Sequence, residues 1–235
     1  MYGYGYGFYF DPTYVLVIIG MIISMAASAY VNSTFKKYDQ IRSRNNVTGT
    51  QAAQYILNNQ QINDVGVQGI AGNLTDNYNS KTKMLSLSQA TAQSTSVAAI
   101  GVAAHECGHA VQDDQDYFPL RLRAAIVPVA NFGSVIAMPL ILIGLLLSGP
   151  ILINIGIIAF STAFLFQLVT LPVEFNASRR ALAILEDGGL LTKEELPMAR
   201  KVLTAAALTY VAAAISTLLQ LLRLLILFGN NSRRN

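Results

Sequence analysis

The sequence predicts a mainly α, multi-pass membrane protein with a small α+β portion held at one side of the bilayer. Three observations lead there. Of 235 residues, 53% are hydrophobic and only 12% are charged, about half the charged share of an ordinary soluble domain. Mean hydropathy is +0.43. The apolar residues gather in four runs, 13–32, 124–147, 151–173 and 202–228, each about as long as a bilayer span requires, roughly 20 residues. Apart from Arg223, every charged side chain lies between or beyond those runs. A chain so poor in charge cannot cover a globular surface with polar groups, and lipid takes up the excess apolar area.

Each element follows in order. Residues 1–12 form a Gly/Tyr-rich tail whose aromatics suit the headgroup region. Its pattern lacks the basic start of a cleavable signal, so the run at 13–32 is expected to remain as a first transmembrane helix. Lys36, Lys37, Arg42 and Arg44 follow that run and only Asp11 precedes it. The excess of basic residues therefore puts the next segment, 33–123, in the cytoplasm.

Within that segment, 50–59 reads as a helix with Ala53, Ile56 and Leu57 as its buried stripe. Residues 65–70 read as a short strand. Asp76-Asn77-Tyr78-Asn79-Ser80 reads as a turn. The alternation at 84–88 reads as a second strand. An Ala-rich helix starts near Ser94 and runs into His105, its small residues suited to close packing on other helices.

Residues 124–173 read as a transmembrane hairpin turned by Ser148-Gly149-Pro150. Residues 174–201 return to the cytoplasm with Arg179, Arg180, Lys193, Arg200 and Lys201. The fourth run, 202–228, is long enough to span. Arg223 interrupts it, and a helix lying in the membrane interface is the competing reading. A polar tail at 229–235 closes the chain.

The net charge of +3 does not point to nucleic acid, because the basic residues flank apolar runs instead of forming one stripe. With one cysteine, Cys107, an intrachain disulfide framework is excluded. Arg223 is the only ionisable residue inside a run away from the motifs below, fewer than a transport path normally uses.

The chemistry rests on His105-Glu106-Cys107-Gly108-His109, an H-E-x-x-H match. On a helix, positions i and i+4 share a face, so both imidazoles can reach one metal ion. Glu106 can then act as general base on a water activated by zinc. The pentapeptide alone is suggestive, but it contains both of the chain's histidines. Cys107 sits on another face of the helix and reads as a small packing residue.

With no third histidine, a carboxylate is needed to complete a three-ligand catalytic zinc site. Asp113 lies on the right face but about 12 Å along the axis from His105, too far for one ion. The candidates in a later segment are Glu174, Glu186, Asp187, Glu194 and Glu195. Glu174 directly follows an apolar run, where an unpaired carboxylate would be costly. A metal would account for it, and so would pairing with Arg179 or Arg180. Glu194 and Glu195 read as a solvated helix face.

The motif followed by Glu174-Phe175-Asn176-Ala177-Ser178 resembles the gluzincin arrangement, in which a second helix supplies a glutamate. Membrane-bound CAAX-endopeptidase-like and heat-shock-induced integral-membrane peptidases share it, with a second motif similar to Glu-x-x-Ala-Asp. This chain has Ser178 in place of that aspartate. Residues 97–106, 171–182 and 205–214 resemble the bacterial membrane neutral zinc metallopeptidase family, the YugP-like group, and the likeness covers nearly the whole chain after the tail. That family often carries Asp-His-Tyr-Asp-Pro where this chain has Asp76-Asn77-Tyr78-Asn79-Ser80, so any role of that histidine is absent here.

The resemblance implies a zincin-like catalytic portion, a Zn2+ cofactor held by His105, His109 and Glu174, and Glu106 as the catalytic base. The expected function is membrane-embedded zinc-dependent endopeptidase action on peptides or membrane proteins, from the cytoplasmic side of the cell membrane. Arg179, Arg180 and Tyr210 are the candidates for stabilising the oxyanion. The strand at 84–88 either pairs with an extended substrate or only completes a small sheet. The competing class is a non-catalytic membrane scaffold with a structural zinc, which intact Glu106 argues against.

Overall fold

The computed structural model describes residues 11–229. Most of the Gly/Tyr-rich tail and nearly all of the C-terminal tail lie outside the described residues. Among the described residues, four helices are long and apolar enough to cross a membrane: α1 (Tyr14–Asp39), α5 (Phe118–Leu146), α6 (Pro150–Asp187) and α7 (Leu196–Phe228). Between α1 and α5 lie α2 (Gly49–Asn59), β1 (Gly66–Ile70), β2 (Asn77–Asn79), β3 (Met84–Ser88), the short α3 (Gln89–Ala92) and α4 (Val97–Asp114). The chain is thus mainly α with a small α+β portion.

Local sequence sets the helix ends. Thr48 and Gln51 form a reciprocal capping box on α2. Ser96 accepts from the Ala99 N–H at 3.1 Å to cap α4. The same hydroxyl donates to Asp39 at 2.7 Å, tying the start of α4 to the end of α1. Pro119, Pro150 and Pro197 stand in the first turns of α5, α6 and α7, where a missing N–H costs nothing. Ser148 takes φ +52° in the hairpin turn.

The helices extend beyond the apolar runs of the sequence. The polar flank of the second run belongs to its helix, since α5 already begins at Phe118 and carries Arg121 and Arg123. Likewise, α6 runs unbroken through position 174 to Asp187 over 38 residues. At 1.5 Å per residue it is about 57 Å long, against about 30 Å of hydrocarbon. The helix does not end at the step from apolar to charged sequence at Glu174. The turn expected at 76–80 contains a strand, β2, which at three residues is too short to show alternation.

The sheet order is β1-β3-β2, with β1 parallel and β2 antiparallel to β3. Both edges of β3 are therefore occupied. Of the two readings of residues 84–88, the structure matches the strand that completes a sheet. Beneath the sheet, Ile56, Leu85, Leu87, Ile100, Cys107 and Leu185 form one buried core joining α2, β3, α4 and α6.

Helix α7 runs antiparallel beside α1 along its length. Ser216 Oγ donates to the Gly20 carbonyl at 2.7 Å and pairs with Ser24 Oγ at 2.8 Å. Farther along, Arg223 reaches Asp11 at 3.5 Å and lies 4.1 Å over the Tyr14 ring. Arg223 is thus partnered within an apolar helix. Close approach joins α5 and α6 too: a Cβ at Gly156 would sit 2.9 Å from the Ala137 carbonyl, the small-residue packing common between membrane helices.

Candidate metal centre

Two helices build the site. Helix α4 presents His105 and His109 one turn apart, their ring centroids 4.7 Å apart. Helix α6 crosses it and brings in Glu174. The crossing is tight at Gly108, where an added Cβ would lie 2.5 Å from the Ala177 carbonyl oxygen. Only a residue without a side chain allows α6 so near.

Glu174 Oε2 lies 3.2 Å from His105 Nε2 and 3.5 Å from His109 Nε2. One ligand-capable atom from each of the three residues lies within 4.8 Å of the others. Four bonds of about 2.0–2.1 Å in a tetrahedron place neighbouring ligand atoms about 3.4 Å apart. The spacing and the two-imidazole, one-carboxylate donor set therefore fit zinc. Glu174 is 2% exposed and His109 8%, so these polar groups have little water to turn to.

The outer hydrogen bonds orient the donors. Gln112 Nε2 donates to the Val173 carbonyl at 2.8 Å and to Asn176 Oδ1 at 2.9 Å. Its Oε1 therefore faces His109 Nδ1 at 3.0 Å. Nδ1 must carry the proton, which leaves the Nε2 lone pair directed at Glu174. His105 Nδ1 meets Ser178 Oγ at 3.1 Å. Ser178 thus contacts the first histidine through a neutral hydroxyl. Arg123 Nη1 donates to Glu174 Oε1 at 3.1 Å, leaving Oε2 toward the imidazoles.

Glu106 is 8% exposed. Burial pushes its carboxyl above the usual carboxylate range, against the pull of the two neighbouring imidazoles. It lines a cavity of about 130 Å³ with His109, Glu174, Arg123, Tyr210 and the stretch around β2. The buried Cys107 thiol points the other way, 3.7 Å from the Ala53 carbonyl.

The remaining candidates fall elsewhere. Glu195 accepts from the Arg44 and Thr192 N–H groups, both at 2.8 Å, and Glu194 lies 4.0 Å from Arg44. Glu186 and Asp187 are at the far end of α6. Asp113 binds Lys83 at 2.9 Å, Arg121 at 3.1 Å and Tyr78 at 2.8 Å. Arg180 is engaged by Asn176 and Gln115, and Arg179 is exposed. Neither pairs with Glu174. Of the three oxyanion candidates, Tyr210 is the one on the cavity wall.

Sequence reasoning missed Gln112, Arg123 and Gly108. Gln112 had a signal, a polar side chain three residues after His109 on the same helix. Arg123 had none beyond its place at a membrane flank.

The chain matches the family described as "Putative neutral zinc metallopeptidase" over residues 13–229, and it belongs to that family. It is 44% identical over 220 residues, 94% of this chain and 98% of the relative, to "Putative membrane protease YugP" of Bacillus subtilis (strain 168). No solved structure matches it.

Proposed function

Taking that membership as the premise, we propose that the chain is a zinc-dependent membrane endopeptidase in which His105, His109 and Glu174 hold the ion and Glu106 is the general base. One observation carries this reading: three ligand-capable side chains from two crossing helices converge beside a fourth, separate carboxylate in an open cavity. A zinc ion held by these residues would polarise a peptide carbonyl and acidify a water molecule.

The chain's own groups do the rest. Glu106 takes the proton from the attacking water and passes it to the leaving amine. Tyr210, which lines the same cavity, donates its hydroxyl to the developing oxyanion. Arg123 holds Glu174 by one oxygen and fixes its orientation. The edge strand β2 offers main-chain groups to an extended substrate, a role the interior strand β3 cannot fill. The basic flank after α1 sets the site on the cytoplasmic side.

A structural zinc needs four protein ligands. Among the described residues the cluster offers three, with Cys107 turned away and Asp113 paired elsewhere. The open position favours catalysis.

Glu106→Gln separates the two roles. It should keep zinc content near wild type while turnover of a peptide or membrane-protein substrate falls by at least about 10² to 10⁴. Equal turnover in the variant would remove Glu106 as the base.

A further inference from the structure

The cations around β2 differ in their partners. Lys83 bonds Asp64 and Asp113, and Arg121 bonds Asp113 and Asp116. Arg123 bonds Glu174. Lys81, in the turn after β2, makes no ion pair among the described residues. It is exposed and lines a cavity of about 320 Å³ between β2 and the first turns of α5.

The rim of that cavity is rich in donors. Asn79 Oδ1 accepts from the Lys81 and Thr82 N–H groups at 3.0 and 3.3 Å, which leaves its amide nitrogen to face away from the turn as a donor. Arg123 gives one nitrogen to Glu174 at 3.1 Å and keeps the rest of its fork. No carboxylate lines this cavity, so a bound amine would meet no counter-charge there.

The floor is apolar, made by Leu120, Ala124, Val127 and Pro128. Ala124 opens the apolar run of α5, and the apolar run of α6 ends at Val173, next to Glu174. The Arg123–Glu174 bond therefore joins the two helices at the level where both runs stop. Val127 and Pro128 lie about 6 and 7.5 Å beyond it along α5, at 1.5 Å per residue, within the run long enough to span. The rim thus stands at the membrane boundary and the floor below it. An inorganic anion gains nothing from such a floor, whereas an anionic phospholipid uses both parts.

We propose that this cavity binds one anionic phospholipid of the adjoining leaflet. Lys81, Asn79 and Arg123 hold its phosphodiester, and the start of an acyl chain lies on Ala124, Val127 and Pro128. Tyr78, Ser80, Leu120 and Arg123 line this cavity and the central one, so the lipid stands at one mouth of the metal centre. The assignment goes beyond the peptidase reading and needs neither zinc nor turnover.

The test is native mass spectrometry of the full chain released from micelles doped equally with phosphatidylglycerol and phosphatidylcholine. Wild type should retain one phosphatidylglycerol at least about fivefold more often than phosphatidylcholine, the factor that one basic side chain supplies beside an anionic headgroup. Lys81→Glu should bring the two close to parity. Lys36→Glu reverses another exposed basic residue, near the end of α1 and outside the cavity, and should leave the preference within about twofold of wild type. Ala124→Phe fills the floor and should lower phosphatidylglycerol retention at least about fivefold, with thermal unfolding reporting that the variant is folded. Equal retention of the two lipids by wild type overturns the proposal. So does a preference that survives Lys81→Glu, or one that falls as far with Lys36→Glu, the mark of a general basic surface. Displacement of the lipid by an equal concentration of inorganic phosphate, or retention unchanged in folded Ala124→Phe, would reveal an ion site without an acyl component and overturn it as well.

Discussion

Gly108→Ala tests whether the metal centre depends on the crossing of α4 and α6. The new Cβ would stand 2.5 Å from the Ala177 carbonyl oxygen and 3.1 Å from its carbon. Both are backbone atoms of a long helix and cannot rotate away. Ordinary contact begins near 3.4 Å, so the helices must part by about 0.9 Å locally. Ala177 lies between Glu174 and Ser178, and the displacement carries both away from the histidines. Zinc sites tolerate only about 0.2 Å in their bond lengths. Zinc affinity should fall by at least tenfold, the scale seen when an orienting partner of a ligand is lost. Stability should change less: alanine gains about 1 kcal/mol in helix propensity, against about 1–3 kcal/mol for overpacking. The assay is competition with a chromogenic chelator in detergent, alongside thermal unfolding. Gly101→Ala is the control on the same helix, since its Cβ would meet Ala199 Cβ at an ordinary 3.5 Å, and its affinity should match wild type. A Gly108→Ala protein with zinc affinity within twofold of wild type would refute the argument.

Ser178→Ala removes the partner of His105 Nδ1 and should weaken zinc binding by about 10- to 100-fold, read by the same competition; unchanged affinity would leave the hydroxyl without an orienting role. Asp113→Asn removes the buried carboxylate that joins the part-exposed Lys83 and Arg121 to Tyr78 and should cost about 1–3 kcal/mol in unfolding measurements. Burial raises the Asp113 carboxyl, but Lys83 and Tyr78 outweigh it and hold it below the ordinary value. Its stabilisation is therefore complete above the unfolded value of about 3.9 and is lost as pH falls through the lower folded value. The wild-type advantage should persist at pH 5 and vanish only in stronger acid; an advantage already gone at pH 5 contradicts the assignment. For topology, single cysteines at Asn45 and Lys193, both exposed, should label from the cytoplasmic side only. Cys107 is buried and should stay silent, and labelling of the two positions from opposite faces would overturn the arrangement.

Composition and local pattern determined the features that depend on near neighbours. Four apolar runs define four long helices because the requirement for about 20 lipid-compatible residues is a property of each segment alone. The pairing of His105 with His109 is equally local, since 3.6 residues per turn places them on one face whatever surrounds the helix. The failures were failures of locality. Three residues of β2 carry no periodicity, and their pairing with β3 is decided by a partner several residues away. The change in composition at Glu174 does not end the helix, because charged residues are compatible with helical backbone and α6 continues to Asp187. Arg223 looked unfavourable in its run until α1 brought Asp11 and the Tyr14 ring alongside. Glu174 stood out in the sequence on its own, and the approach of α6 to Gly108 brings its carboxylate beside the two histidines. Arg123, Gln112 and Ser178 gained their parts only there. Each bonds a group set by the packing of α4, α5 and α6, and packing angles and interhelical distances depend on side chains far apart in the chain. Sequence spacing alone does not specify them.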